Sequence, residues 1–180
     1  MDLTQNIKLI VCCRQNEWEK VKNEYLKYLN DKIEIVHASG KELEEYYQQA
    51  DICSLLFQKH EYRDIAMPMK LFEYISNRKP IISTKGTAAG EFIEKNNVGW
   101  EVEYSEKSIL ELLRKIEKER ELIREKSEKF DEVIMKNTWK ERAKKVAKDL
   151  KWWRKHEKNS NRYRCKTTIY KSSYGIKSIK

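Results

Sequence analysis

The sequence predicts an α/β domain, a parallel sheet of about five to six strands flanked by helices. Three observations carry that expectation. Apolar runs of strand length recur through residues 7–104. Between them lie segments whose apolar residues stand three and four apart, the spacing of one helix face. The first run, IKLIVCC at 7–13, is continuous where a half-exposed strand would alternate, and so fits a strand buried on both faces.

The elements follow in order. After the first strand, residues 16–30 carry Trp18, Val21, Tyr25, Tyr28 and Leu29 on one helical face. KIEIVHA at 32–38 is the second strand, Ser39-Gly40 a turn, and KELEEYYQQA a short helix. DICSLLF at 51–57 is the third strand, followed by the loop QKHEYRDIA. Pro68 then suits the first turn of a helix, where its missing N–H is no loss, and that helix runs to about Asn77. Asn77 can end it in a left-handed conformation. PIIST is the fourth strand, with its proline at the strand start. AAGEFIEKNN is a helix, VGWEVEY the fifth strand, and the segment from Ser105 to Phe130 one long helix or two. A final helix is capped near Asn137. Strand–helix–strand crossovers of this kind are right-handed, and such sheets bind ligands beyond the carboxyl ends of their strands. The expected functional loops are therefore 14–17, 38–41, 57–67 and 84–89.

Composition sets further bounds. The formal net charge is +9. After Lys151 the chain has nine Lys or Arg and one acid, Glu157, so the first 151 residues are almost balanced. Residues 1–151 are thus expected to be the folded domain and 152–180 a basic, poorly packed tail. A charge confined to the tail argues against a nucleic-acid partner. The tail's Lys and Arg among Trp and Tyr suit peripheral contact with an anionic membrane surface. Cys12, Cys13, Cys53 and Cys165 show neither zinc nor disulfide spacing and read as small buried hydrophobes in a reducing compartment. With three scattered histidines, no metal site and no cofactor are expected. MDLTQNIKLI lacks the form of a signal peptide, and no apolar run approaches the roughly 20 residues of a membrane span. The expected location is the cytoplasm, peripheral to the inner face of the membrane.

MPMKLFEYISNRKPIIST at 67–84 raises the question of chemistry. A helix start after a parallel strand presents free N–H groups and a positive dipole end, which suits phosphate. Lys70 and Glu73 lie one turn apart on that helix. A carboxylate beside bound phosphate is unfavourable unless it has another task. Accepting hydrogen bonds from the hydroxyls of a nucleotide ribose is such a task. The plain structural reading is a solvated acid paired with Arg78 or Lys79.

The stretch from Ala50 to Tyr104 resembles the C-terminal half of GT-B glycosyltransferases, most closely the retaining family 4 group. The resemblance rests on Asp51, Pro68, Lys70, Leu71, Glu73, Tyr74, Lys79, Pro80 and Gly99, and extends over about residues 7–150. It implies a single GT-B half: a Rossmann-like, sugar-nucleotide-binding domain. By resemblance Glu73 holds the ribose, and Arg14, Lys20 and Lys70 hold the donor diphosphate. The loop at Ala38, Ser39 and Gly40 faces the base, largely through main chain. Ile65 stands where many relatives place a glutamate that contacts the donor sugar. The resemblance implies retaining transfer from a nucleoside diphosphate sugar to an acceptor hydroxyl, with surface polysaccharide synthesis as a setting. Such enzymes close their site with an acceptor-binding domain, so a separate domain or subunit is an expected partner. A non-catalytic nucleotide-sugar-binding subunit, or a remnant that needs a partner domain, is the alternative.

Overall fold

The alternating apolar runs fold into short parallel strands, each followed by helix. The computed structural model describes residues 6–156, 169–172 and 175–179. The chain forms two compact units, Met1–Met135 and Lys136–Lys180.

In the first unit, β1 (Leu9–Cys12) leads into α1 (Gln15–Tyr25) and a 3-10 turn, then β2 (Ile33–Val36). A 3-10 turn at Gly40–Glu42 opens α2 (Leu43–Gln49), and β3 (Cys53–Leu55) follows. Next come α3 (Glu61–Ile65), α4 (Met69–Ser76) and β4 (Ile81–Thr84). Then α5 (Ala88–Lys95) precedes β5 (Gly99–Val102). The expected long helix resolves into α6 (Glu106–Lys118), α7 (Glu121–Ser127) and α8 (Phe130–Lys136).

All pairings among β1–β5 are parallel, as expected, but they form two sheets instead of one. β1 pairs with β2, with Leu9 opposite Ile33 and Cys12 opposite Val36. β4 lies between β3 and β5. The five strands of this unit thus divide two and three, because β1 keeps its ladder on β2 while the three-residue β3 keeps its own on β4.

The three-stranded sheet is covered on both faces, and alternation along β4 shows how. Ile81 joins Leu55, Leu71, Ile75, Ala89, Ile93, Val98, Phe130 and Val133 beneath α4, α5 and α8. The next residue, Ile82, points the other way and packs with Val102 and Ile116. Every residue of β4 is buried, including two polar ones. Ser83 Oγ donates to the Leu55 carbonyl at 3.3 Å. Thr84 Oγ1 accepts from Phe57 N at 2.9 Å and donates to the Phe57 carbonyl at 2.8 Å. Gly99 is where β5 crosses closest to β4: a Cβ there would lie 1.9 Å from the Ile81 carbonyl oxygen.

The first sheet departs from expectation. Leu9 is 43 % exposed and Val11 36 %, so β1 is not buried on both faces. The reason is missing cover: α1 contributes no buried residue. Cys12 is correspondingly exposed and Cys13 half-buried, so of the cysteines read as buried hydrophobes only Cys53 fits among the described residues. Burial pushes the Cys53 thiol up to about 12, against the pull of Lys79 and Lys70. Cys165 lies outside the described residues.

One helix end also differs. Asn77 keeps a negative φ of −87°, and the left-handed position falls on Arg78, with φ of 53°. Arg78 is held there by Nε and Nη2 bonds to Asp131 Oδ1, at 3.0 and 2.7 Å. The second unit contains α9 (Trp139–His156), which runs through residues 151 and 152, and an antiparallel pair, β6 (Ile169–Ser172) and β7 (Gly175–Ile179). The sequence reading placed no strands there. Most of the expected tail, residues 157–168, 173, 174 and 180, lies outside the described residues.

Candidate functional site

The site is built from α4 upward. Pro68 is extended and forms the N-cap, one position before the first turn where the sequence placed it. Leu71 and Ile75 bury one face of the helix. Lys70 and Glu73 fall beside that face, three residues apart. Lys70 Nζ donates to Glu73 Oε2 at 2.7 Å. The hydroxyl of Tyr47, on α2, donates to the same oxygen at 3.1 Å. Tyr47 in turn meets Tyr74 edge-on, with ring centroids 5.9 Å apart. Among the described residues, these bonds engage only one carboxylate oxygen, and the side chain is 44 % exposed. The arrangement is a carboxylate fixed on one side and open on the other.

Electrostatics keep both donors protonated. Burial, then the hydrogen bond to Glu73, raises the Tyr47 hydroxyl above the ordinary tyrosine value. The hydrogen bond to Glu73 raises Lys70 in spite of partial burial. Burial also pushes Tyr74 up to about 12. Glu73 is indeed a partly solvated helix acid in an ion pair, but its partner is Lys70 instead of Arg78 or Lys79: Arg78 pairs with Asp131, and Lys79 donates to the Gln48 carbonyl at 3.3 Å.

The remaining predicted residues are placed less tightly. Arg14 is the N-cap of α1, with its side chain 81 % exposed and Glu17 3.9 Å away. Lys20 is exposed on the same helix. Among the described residues, no hydrogen bond or ion pair joins either to the Lys70–Glu73 pair. β1 ends at Cys12, paired beside Val36 of β2. Cys12 Sγ also donates to the Ala38 carbonyl at 3.3 Å, fixing the loop after β2. In that loop Ser39 N donates to Glu42 Oε2 at 3.0 Å, and Gly40 has φ of 56° with open space around it. Ile65 closes α3 and is 79 % exposed.

Three residues were not singled out in the sequence. Tyr47 is separated from Glu73 by 26 positions, and no local spacing links them. Lys59 reaches over the loop after β4, its Nζ 3.2 Å from where a Gly86 Cβ would sit. Glu101 on β5 accepts from the Gly86 backbone, while its Oε1 is buried without a partner. Burial, then the charge of Glu94, raises its carboxyl. Among the described residues, no group of three His, Cys, Asp or Glu is placed to hold a metal ion. A wide-mouthed cavity of about 340 Å³, lined by Leu56, Tyr104, Ser105, Glu106 and Ile109, shares no residue with the Glu73 site.

The parallel strands, the loops at their carboxyl ends and the carboxylate on α4 can be set beside known proteins. The sequence model of one family, described as "Glycosyl transferases group 1", matches residues 1–136. The chain belongs to the glycosyl transferases group 1 family. The match covers the whole of the α/β unit that carries Lys70, Glu73 and Tyr47. Membership makes this a glycosyltransferase-type domain and implies a donor and an acceptor. A search of curated proteins found no match. No helix among the described residues is long and apolar enough to cross a membrane.

Proposed function

We propose that the α/β unit binds a nucleoside diphosphate sugar. Within the family it acts as the donor-binding half of a retaining, family 4-like transferase. The observation that carries this reading is the half-open carboxylate. Tyr47 and Lys70 hold Glu73 Oε2, and the side chain remains partly exposed to solvent. A ribose hydroxyl donates to that carboxylate. Lys70 has three N–H donors. One serves Glu73, and the others serve the donor diphosphate. Arg14 and Lys20 turn from solvent to the same diphosphate, where cations stabilise the charge that builds on the leaving group. The loop at Ala38–Gly40 lies along the base. The acceptor hydroxyl comes from a partner domain or subunit, in a pathway such as surface polysaccharide synthesis at the inner membrane face.

A second reading is favoured by one residue. Ile65 stands where the resemblance expects a glutamate on the donor sugar, and it is apolar and exposed. On that reading the unit binds donor and turns nothing over by itself.

The test is calorimetric titration of the chain with UDP, GDP and their sugar conjugates. Binding to at least one is expected, weakened roughly 10- to 100-fold in Glu73→Ala, the range for a hydrogen bond to a charged group. No binding to any nucleotide, or unchanged binding in the variant, refutes the donor site. Donor hydrolysis or glycosyl transfer by the chain alone refutes the second reading.

A further inference from the structure

The second compact unit opens with α9, whose pattern the donor site leaves unexplained. Along its 18 residues it carries eight Lys or Arg and two acids, Glu141 and Asp149. Ala143, Val146 and Leu150 follow at spacings of three and four, which puts them on one line of the helix. By the same spacing Trp139 and Trp153 occupy positions at the two ends of that line. The line is uncovered: Val146 is 57 % and Leu150 56 % exposed, and Ala143 is exposed as well. A soluble helix of this length normally hides such a stripe against a core.

We propose that α9 is an interfacial helix that docks on an anionic lipid surface. The form matches what such a surface selects: low mean hydropathy, a narrow apolar line with aromatic positions, and Lys or Arg over the rest. Charge complementarity identifies the occupant. A second copy would bring a surface of the same sign against this one, and like charges repel. A nucleic acid would satisfy Lys144, Lys145 and Lys148 but would leave Val146 and Leu150 in water. An anionic bilayer takes both faces at once, with the apolar line in the acyl boundary and the ammonium groups among the phosphates. The proposal concerns α9 and stands apart from the donor site, which serves as its internal control.

The experiment is co-sedimentation of the full chain with vesicles of phosphatidylglycerol and phosphatidylcholine, against phosphatidylcholine alone. Binding is expected to the anionic vesicles only, and to weaken as salt rises. Replacing Lys144, Lys145 and Lys148 by Glu should lower partitioning by more than about 100-fold, since each basic residue is worth roughly fivefold at such a surface. Val146→Glu with Leu150→Glu should abolish it; Val146→Ser with Leu150→Ser, which adds no charge, should lower it about tenfold or more. Circular dichroism and nucleotide titration verify that each variant is folded. No sedimentation with anionic vesicles overturns the proposal. So does sedimentation that survives the Val146 and Leu150 changes, or binding of RNA or self-association in place of vesicle binding.

Discussion

The two parallel sheets of the α/β unit began from similar sequence and ended in different surroundings. β1, read as LIVC, and β4, read as IIST, are both four-residue strands followed by a helix. β4 is the more polar, yet all of it is buried, while most of β1 is exposed. The difference lies in the neighbours. β4 has strands on both edges and helices on both faces, whereas β1 has one strand and an α1 that buries nothing. Local apolar content therefore identifies a strand, and the packing of distant elements decides whether the strand is core.

Substitutions can break or sharpen that contrast. The largest effect is expected at Gly99, where a Cβ would overlap the Ile81 backbone and push β5 off β4. Gly99→Ala should destabilise the chain by more than about 4 kcal/mol in urea unfolding. A wild-type midpoint would mean that the β4–β5 approach is looser than described. Phe130→Ala should follow. This side chain is fully buried under the central sheet, and such truncations cost about 3–5 kcal/mol. On the first sheet, Leu9→Ser and Val11→Ser should each change stability by about 0.5 kcal/mol or less, the usual range for surface positions. Losses as large as that at Phe130 would show that β1 is covered in solution.

The smallest effect concerns pH. Burial raises Glu101 in the folded state above its unfolded value. The folded state therefore holds that proton more tightly. Stability from this group is present at low pH and falls as pH rises from the ordinary glutamate value through the raised one. Glu101→Gln should remove the fall, so that the variant gains on wild type above that window and not below it. Parallel pH–stability curves for the two proteins would contradict the assignment.

The contrast also shows what the sequence makes legible. Strand and helix positions follow from local periodicity, and all five parallel strands appear near their expected places. The pairing of Lys70 with Glu73 was readable because i and i+3 are neighbours on any helix. Tyr47 was not, since it reaches Glu73 through the packing of α2 on α4. The division into two sheets was equally hidden, because edge pairing depends on how α1, α2 and β3 settle together. The left-handed turn at Arg78 was missed by one residue. Asn is the residue type that takes this conformation more readily, and the bond that accompanies it at Arg78 comes from Asp131, 53 positions away.

The central claim is that Glu73 anchors a ribose. It is tested most directly by a double-mutant cycle with the nucleotide as one partner. The affinity of wild type and of Glu73→Ala is measured calorimetrically for the best-bound nucleoside diphosphate and for its 2′- and 3′-deoxy forms. Wild type should lose roughly 10-fold or more on removal of the contacted hydroxyl, and Glu73→Ala should bind the ribo and deoxy forms alike. Equal discrimination by both proteins would contradict the account and place the ribose elsewhere.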